Sequence, residues 1–242
     1  MSEQSRRAEK KALTRAHVRA TAQRLFSDRG FDAVTIADVA AAAGVAVQTV
    51  FNHFATKEEL YWSGRSPWVS APAVAVRDRA PGTPALTALR EHLTADMGRF
   101  VERLGTTEGR SATTALERSP TLRAAERELH HECERLLAAA LEDAWTGPDA
   151  ERPAPADPRL TAALVAASWL ATTRTLVTSL RDPLPHPGDV PALAARTRAL
   201  TDRLLGGLQL GLDAQPGAGL AGSSRDGGVA RDGEGPGVLR AV

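Results

Sequence analysis

The sequence predicts an all-α protein. No segment of the 242-residue chain alternates apolar and polar residues with period two, and it holds one tyrosine, so no sheet is expected. Apolar residues recur instead every three or four positions. Capping residues precede proline at Thr83-Pro84, Ser119-Pro120 and Asp157-Pro158, and Asp189 stands two residues before Pro191. A capping side chain followed by proline in the first turn opens a helix.

The elements follow in order. Val18, Ala22, Leu25 and Phe26 form one apolar stripe over residues 13–29, and Gly30-Phe31 ends that helix. Thr35 caps the next helix, answered by Asp38 in an approximate capping box, with Ile36, Val39 and Ala40 on one face. Small residues Ala40 to Ala43 admit a close neighbour. Gly44 then supplies the left-handed backbone of a sharp stop, and Val45 anchors the turn. From Ala46 a third helix places Val47, Val50 and Phe54 as its spaced apolar residues, with Gln48, Thr49, Asn52 and His53 able to point outward. Thr56-Lys57-Glu58-Glu59 is a full capping box for the following helix. Two helices of about eight residues are marginal alone, so the helix over 13–29 must pack them. Two helices around a glycine turn also occur in ordinary cores; this compact three-helix grouping favours a helix-turn-helix, whose second helix enters a DNA major groove.

Further helices are expected near 57–64, 67–79, 84–104, 108–118, 120–145, 158–181 and 190–213. Pro-rich loops fall at 147–156 and 182–188. Residues 214–242 carry eight glycines and no apolar period, the composition of a disordered tail. Residues 1–30 hold eight basic against three acidic side chains, although the whole chain is only +1. Residues 1–12 therefore read as a basic flexible arm suited to phosphate or minor-groove contact, or as a solvated tail.

Residues 13–62 resemble the DNA-binding domain of the TetR family (TetR/AcrR type) of bacterial transcription regulators. The resemblance rests on Phe26, Gly30-Phe31, Thr35-Ile36-Ala37-Asp38-Val39-Ala40, Ala43-Gly44-Val45, Thr49-Val50-Phe51-Asn52-His53-Phe54 and Lys57-Glu58-Glu59-Leu60. It implies a helix-turn-helix domain over 13–62, a helical effector-binding and dimerisation domain over 63–213, and a homodimer on a double-stranded DNA operator. The expected function is a repressor released from a palindromic operator by a small-molecule effector. The alternative is an activator or global regulator without an inducer. A further alternative is an enzyme or carrier that merely contains such a bundle.

The resemblance and groove chemistry together assign the DNA contacts. Gln48 can bridge adenine N6 and N7, and Val47 or the Thr49 methyl can meet a thymine methyl. Thr49, Asn52 and His53 suit phosphate or mixed contacts. Phe51 packs on a sugar or the neighbouring helix, and Thr35 and Lys57 hold the backbone. Ala46 and Phe51 depart from the Ser or Thr and the Tyr that the family often carries there, removing a capping hydroxyl and a phenol.

The helix over 158–181 is apolar nearly all round, and Leu193, Thr197, Leu200, Leu204, Leu208 and Leu212 recur along 190–213. Both could complete the monomer core; two-fold DNA readers favour pairing with the partner's copies. The resemblance places an effector cavity between reader and dimer helices, with Trp62, Trp68, His92, Asp96, Met97, Phe100, Trp169 and Thr173 as candidate lining. Residues 69–242 contain only three aromatics, Phe100, Trp145 and Trp169, which predicts an aliphatic lining and a small apolar effector.

His130-His131-Glu132-Cys133-Glu134 offers His130 and Glu134 one helical face, short of the three or four convergent ligands a zinc site needs. No metal or cofactor is expected. No nucleophile elbow, P-loop, dinucleotide glycine pattern or HExxH occurs, so no catalytic residue is assigned. One cysteine, Cys133, excludes an intramolecular disulfide framework. No secretory signal is visible, and the uncharged run 160–173 is too short to cross a bilayer. A cytoplasmic protein without a membrane partner is expected.

Overall fold

A computed structural model describes residues 3–151 and 153–213. These form ten helices, with no strand among the described residues: α1 (Glu3–Arg29), α2 (Ile36–Ala43), α3 (Val47–Phe51), α4 (Lys57–Trp62), α5 (Ala71–Arg77), α6 (Ala85–Leu104), α7 (Thr107–Arg118), α8 (Pro120–Thr146), α9 (Pro158–Arg181) and α10 (Val190–Asp213). Short 3-10 turns at Pro67–Val69 and Pro187–Asp189 precede α5 and α10. Ser119 and Asp157 accept from the backbone N–H of Leu122 and Leu160, capping α8 and α9 ahead of their prolines. Thr83 does not cap α6; its N-cap is Pro84, which offers no side-chain bond.

Residues 3–12 correct the expected arm: they are the first turns of α1. Ala8, Ala12 and the straight-chain Arg, Lys and Glu between them are strong helix formers, with no Gly or Pro to interrupt. The tail over 214–242 lies outside the described residues.

The first core joins Val18, Phe26, Val34, Val39, Val50, Phe54 and Leu60 across α1–α4. It also takes Leu116 and Leu122 from α7 and α8, so packing is continuous across position 62. Tyr61 seals this seam, donating to the Ala112 carbonyl at 3.2 Å. The second core gathers Leu89, Leu137, Leu141, Trp145, Val165, Trp169 and Leu205. α9 lies along α8, and α10 lies chiefly along α6.

α9 and α10 each carry a core face and an outward apolar face. In α10 the buried positions are Val190, Ala194, Thr197, Thr201 and Leu205, whereas Leu204, Leu208 and Leu210 are exposed. The leucine recurrence therefore straddles two faces. α9 buries Ala162, Val165, Ala166, Trp169 and Thr173 but exposes Leu164 at 57 %. By length and composition α9 could cross a membrane; here its inner face is a core face against α8.

Candidate nucleic-acid interface and cavity

The helix-turn-helix is fixed by its caps. The Thr35 hydroxyl accepts from Asp38 N at 3.1 Å, and Asp38 Oδ2 accepts from Thr35 N at 2.8 Å and from its hydroxyl at 2.6 Å. These bonds hold the Asp38 carboxyl below its ordinary range, the side-chain bond contributing most. Gly44 ends α2 at φ +64°, donating to the carbonyls of Ala40 and Ala41, and Val45 N donates to Ala40 O at 3.0 Å. Any L residue is strained at that φ. His17 of α1 meets the Ala43 carbonyl at 3.2 Å, pinning the same helix end.

α3 starts at Ala46 with no side-chain cap bond. Val50 is fully buried against α1 and α2. Val47 is 42 % exposed and Phe51 46 %. A five-residue helix can turn only one narrow stripe inward, and Val50 with the following Phe54 fills it. Gln48 and Asn52 are exposed beside them, with Gln48 Nε2 donating to Asn52 Oδ1 at 3.2 Å. Thr49 is half-buried. The outer face thus carries two amides and two apolar side chains, a combination able to address base edges and thymine methyls.

His53 is half-buried, and its Nδ1 is sheltered without a partner. Desolvation, then the charges of Lys11 and Arg15, push its pKa down. Its carbonyl accepts from Arg15, whose guanidinium also lies 4.1 Å over the Phe54 ring and 3.5 Å from Glu59. The box at α4 closes one residue early: Thr56 Oγ1 accepts from Glu59 N, while Glu59 accepts from Ala55 N at 2.7 Å.

Lys57 departs from its expected part. Its Nζ donates to the carbonyls of Phe31 and Val34, both at 3.1 Å, and lies 4.1 Å over the Phe31 ring. The ammonium is engaged in tying α4 to the α1–α2 loop and is not presented for a phosphate. Lys57→Met is expected to lower folding stability by about 1–3 kcal/mol through these lost charged bonds. Urea unfolding checks this; an unchanged midpoint would contradict the clamp.

A cavity of about 730 Å³ opens where α4 meets α5–α9. Of the expected residues, Trp62, Trp68, His92, Asp96, Met97, Phe100 and Thr173 line it. Trp169 does not: it is fully buried in the second core, because its position on α9 faces α8. Glu126, His130 and Cys133 of α8 complete one wall, with Arg174 and Arg181 of α9. Sequence reasoning missed them, although their spacing of three, four and seven residues is a helical face. Nor is the lining mainly aliphatic. Tyr61, Trp62 and Trp68 reach it from just before the aromatic-poor segment.

Arg181 grips Glu126 through two bonds of 3.0 and 2.5 Å and lies 3.7 Å from Glu117. Trp68 stacks on His130 at 4.7 Å. Glu134, considered with His130 for a metal, instead sits 3.8 Å from His131. No three metal-ligating side chains converge among the described residues. Burial pushes the Cys133 thiol up to about 12; its Sγ contacts the Trp68 carbonyl at 3.6 Å.

Burial is also the largest cause lowering the pKa values of His92 and His130. The unfolded chain then binds protons first as pH falls, so their stability contribution is full above about 6.5 and lost on acidification through the folded values. Urea midpoints are expected to fall between pH 7.5 and pH 5.5, and to fall less in His92→Gln and His130→Gln. An equal fall in both variants would refute this linkage.

The geometry defines an all-α helix-turn-helix protein with a cavity beneath its reader. Residues 18–62 match the sequence profile of bacterial regulatory proteins of the tetR family. Over 62 residues the chain is 36% identical to MftR of Mycobacterium tuberculosis (strain ATCC 25618 / H37Rv), described as a mycofactocin biosynthesis transcriptional regulator. That match covers 26% of this chain and 31% of MftR, so the chain spans about a third of that relative. SmeT, solved in complex with triclosan, is 18% identical, with 80% of this chain and 90% of that chain covered at a TM-score of 0.51; this likeness is one of fold. NalD, the secondary repressor of the MexAB-OprM multidrug efflux pump in Pseudomonas aeruginosa, is 20% identical over 78% and 95% of the two chains, at a TM-score of 0.48. Residues 18–62 therefore resemble the DNA-binding region of bacterial tetR-family regulators, and the described helices share the all-α fold of SmeT.

Proposed function

We propose that this protein is a cytoplasmic homodimeric repressor that binds a palindromic operator in double-stranded DNA and leaves it when a small molecule fills the cavity. One observation carries the reading: α4, the helix directly after the reader, supplies Tyr61 and Trp62 to the cavity wall. A ligand there bears on the same helix that Lys57 and Leu60 fasten to the reader's core. The ligand must bind the free conformation better than the DNA-bound one, and operator DNA must weaken ligand binding by the same factor.

Gln48 is the base reader in this proposal, exchanging its bond to Asn52 for an adenine edge, while Val47 or the Thr49 methyl meets a thymine methyl. Asn52, His53 and Thr35 serve the phosphates, and Lys11 and Arg15 lend them positive field. The partner copy covers the outward apolar residues of α9 and α10, where Ala163, Leu164, Ala167, Leu204 and Leu208 stand exposed. Gln48→Ala is expected to cost roughly 1–3 kcal/mol and to relax preference at one operator position. Equal loss on every sequence would remove Gln48 as a reader. Selection of bound sequences from random DNA, with sedimentation of the free protein, tests the whole. Two half-sites about one helical turn apart and a dimer are expected. A monomer at micromolar concentration, or no DNA retarded at low salt, would overturn it.

A further inference from the structure

The cavity wall has a marked charge character. Five arginines line it, Arg65, Arg99, Arg103, Arg174 and Arg181, against three carboxylates, Asp96, Glu108 and Glu126. Arg99 is engaged by Asp96 at 3.4 Å and Arg181 by Glu126. Among the described residues no carboxylate lies within ion-pair distance of the other three arginines. Two of those, Arg65 and Arg174, line the cavity together with the Arg181–Glu126 pair. Arg65 sits 4.8 Å over Tyr61, whose phenol also feels Glu126 and Arg181. Arg174 and Arg181 act together on His130. Three arginines therefore stand at this end, and of them only Arg181 is paired, to Glu126 and Glu117.

The unpartnered polar atoms point the same way. Trp62 Nε1, Arg65 Nε and Arg181 Nε are sheltered without a partner. All three are donors, and no unpartnered acceptor belongs to a lining residue. A neutral apolar molecule entering here would strip water from the half-buried Arg65 and leave its charge uncompensated, which is costly. An anion offsets that cost with charge-assisted bonds.

We propose that the cavity takes an amphipathic anion, its head group held by Arg65 and Arg174 beside the Arg181–Glu126 pair and its apolar body against Leu93, Met97 and Phe100. This rests on the effector reading above and narrows its ligand from an apolar molecule to an acidic one. The volume, about 730 Å³, lies within the range of roughly 300–1,000 Å³ usual for ligand pockets.

Four probes sharing one ten-carbon chain test it on the full-length protein by calorimetry: decanoate, decyl phosphate, decan-1-ol and decyltrimethylammonium. At least one anion is expected to bind about tenfold or more tighter than the alcohol, and the two anions separate carboxylate from phosphate chemistry. Arg174→Gln, an exposed position whose change leaves the fold intact, is expected to erase most of that preference and leave alcohol binding within about twofold. Arg65→Gln should act alike. Alcohol or ammonium binding as tight as the anions, or a preference surviving both substitutions, would overturn the anion while leaving an effector cavity standing. Failure of all four to bind would overturn both.

Discussion

Trp169→Ala is expected to destabilise the fold by about 3–5 kcal/mol, the usual cost of deleting a large buried aromatic. Trp169 is among the largest fully buried side chains and packs among Leu137, Leu141 and Val165 at the centre of the second core. Removing it opens a void between α8 and α9 that two long helices cannot collapse to fill. Urea unfolding followed by circular dichroism reads the loss directly. Trp169→Phe is expected to cost far less, because the indole Nε1 makes no hydrogen bond that phenylalanine would forfeit. This pair of variants also separates core from ligand contact. Trp169→Phe should bind any cavity ligand as the parent does, and a loss under about 1 kcal/mol for the alanine variant would refute the core assignment.

Arg181→Ala is expected to cost about 3–5 kcal/mol, since it strands a buried carboxylate. The side chains of Arg181 and Glu126 are 10% and 12% exposed, and their two hydrogen bonds join the end of α9 to α8, with Glu117 adding α7. The cost comes from the partner left behind, so changing both residues should be milder than changing one. Arg181→Met combined with Glu126→Leu is expected to recover most of the loss in the same measurement. A double variant as damaged as Arg181→Ala would show that packing, and not the orphaned charge, sets the cost. The pair closes the cavity next to Tyr61, so its rupture should also loosen the seam between reader and body.

Local rules explain why most elements were legible in advance. Ser119 and Asp157 announce α8 and α9 because a cap and a proline act within one turn, and Gly44 announces the end of α2 because few residues accept its φ. Helical spacing likewise placed His92, Asp96, Met97 and Phe100 on one face, and that face does line the cavity. The same spacing failed for Trp169. A buried face and a cavity face differ only in what stands opposite, and nothing local records that.

Lys57 makes the point within the reader itself. As the first residue of a helix, between a Thr cap and two glutamates, it reads as a free cation at a helix start. Only the folded α1–α2 loop brings the Phe31 and Val34 carbonyls to its ammonium. The cavity's charge is a similar case: Arg65, Arg174 and Arg181 are ordinary in a chain rich in arginine, and the loop after α4 must meet α9 before they share one cavity.

The sequence by itself determined the all-α class, the starts of α8 and α9 and the helix-turn-helix, because caps, turns and amphipathic period are written within a few consecutive residues. Tertiary structure alone decided which apolar residues are core and which are outer face, that Lys57 is a clamp, and that the cavity is cationic. Those properties depend on partners dozens of positions away, brought together only when the two cores close around Tyr61.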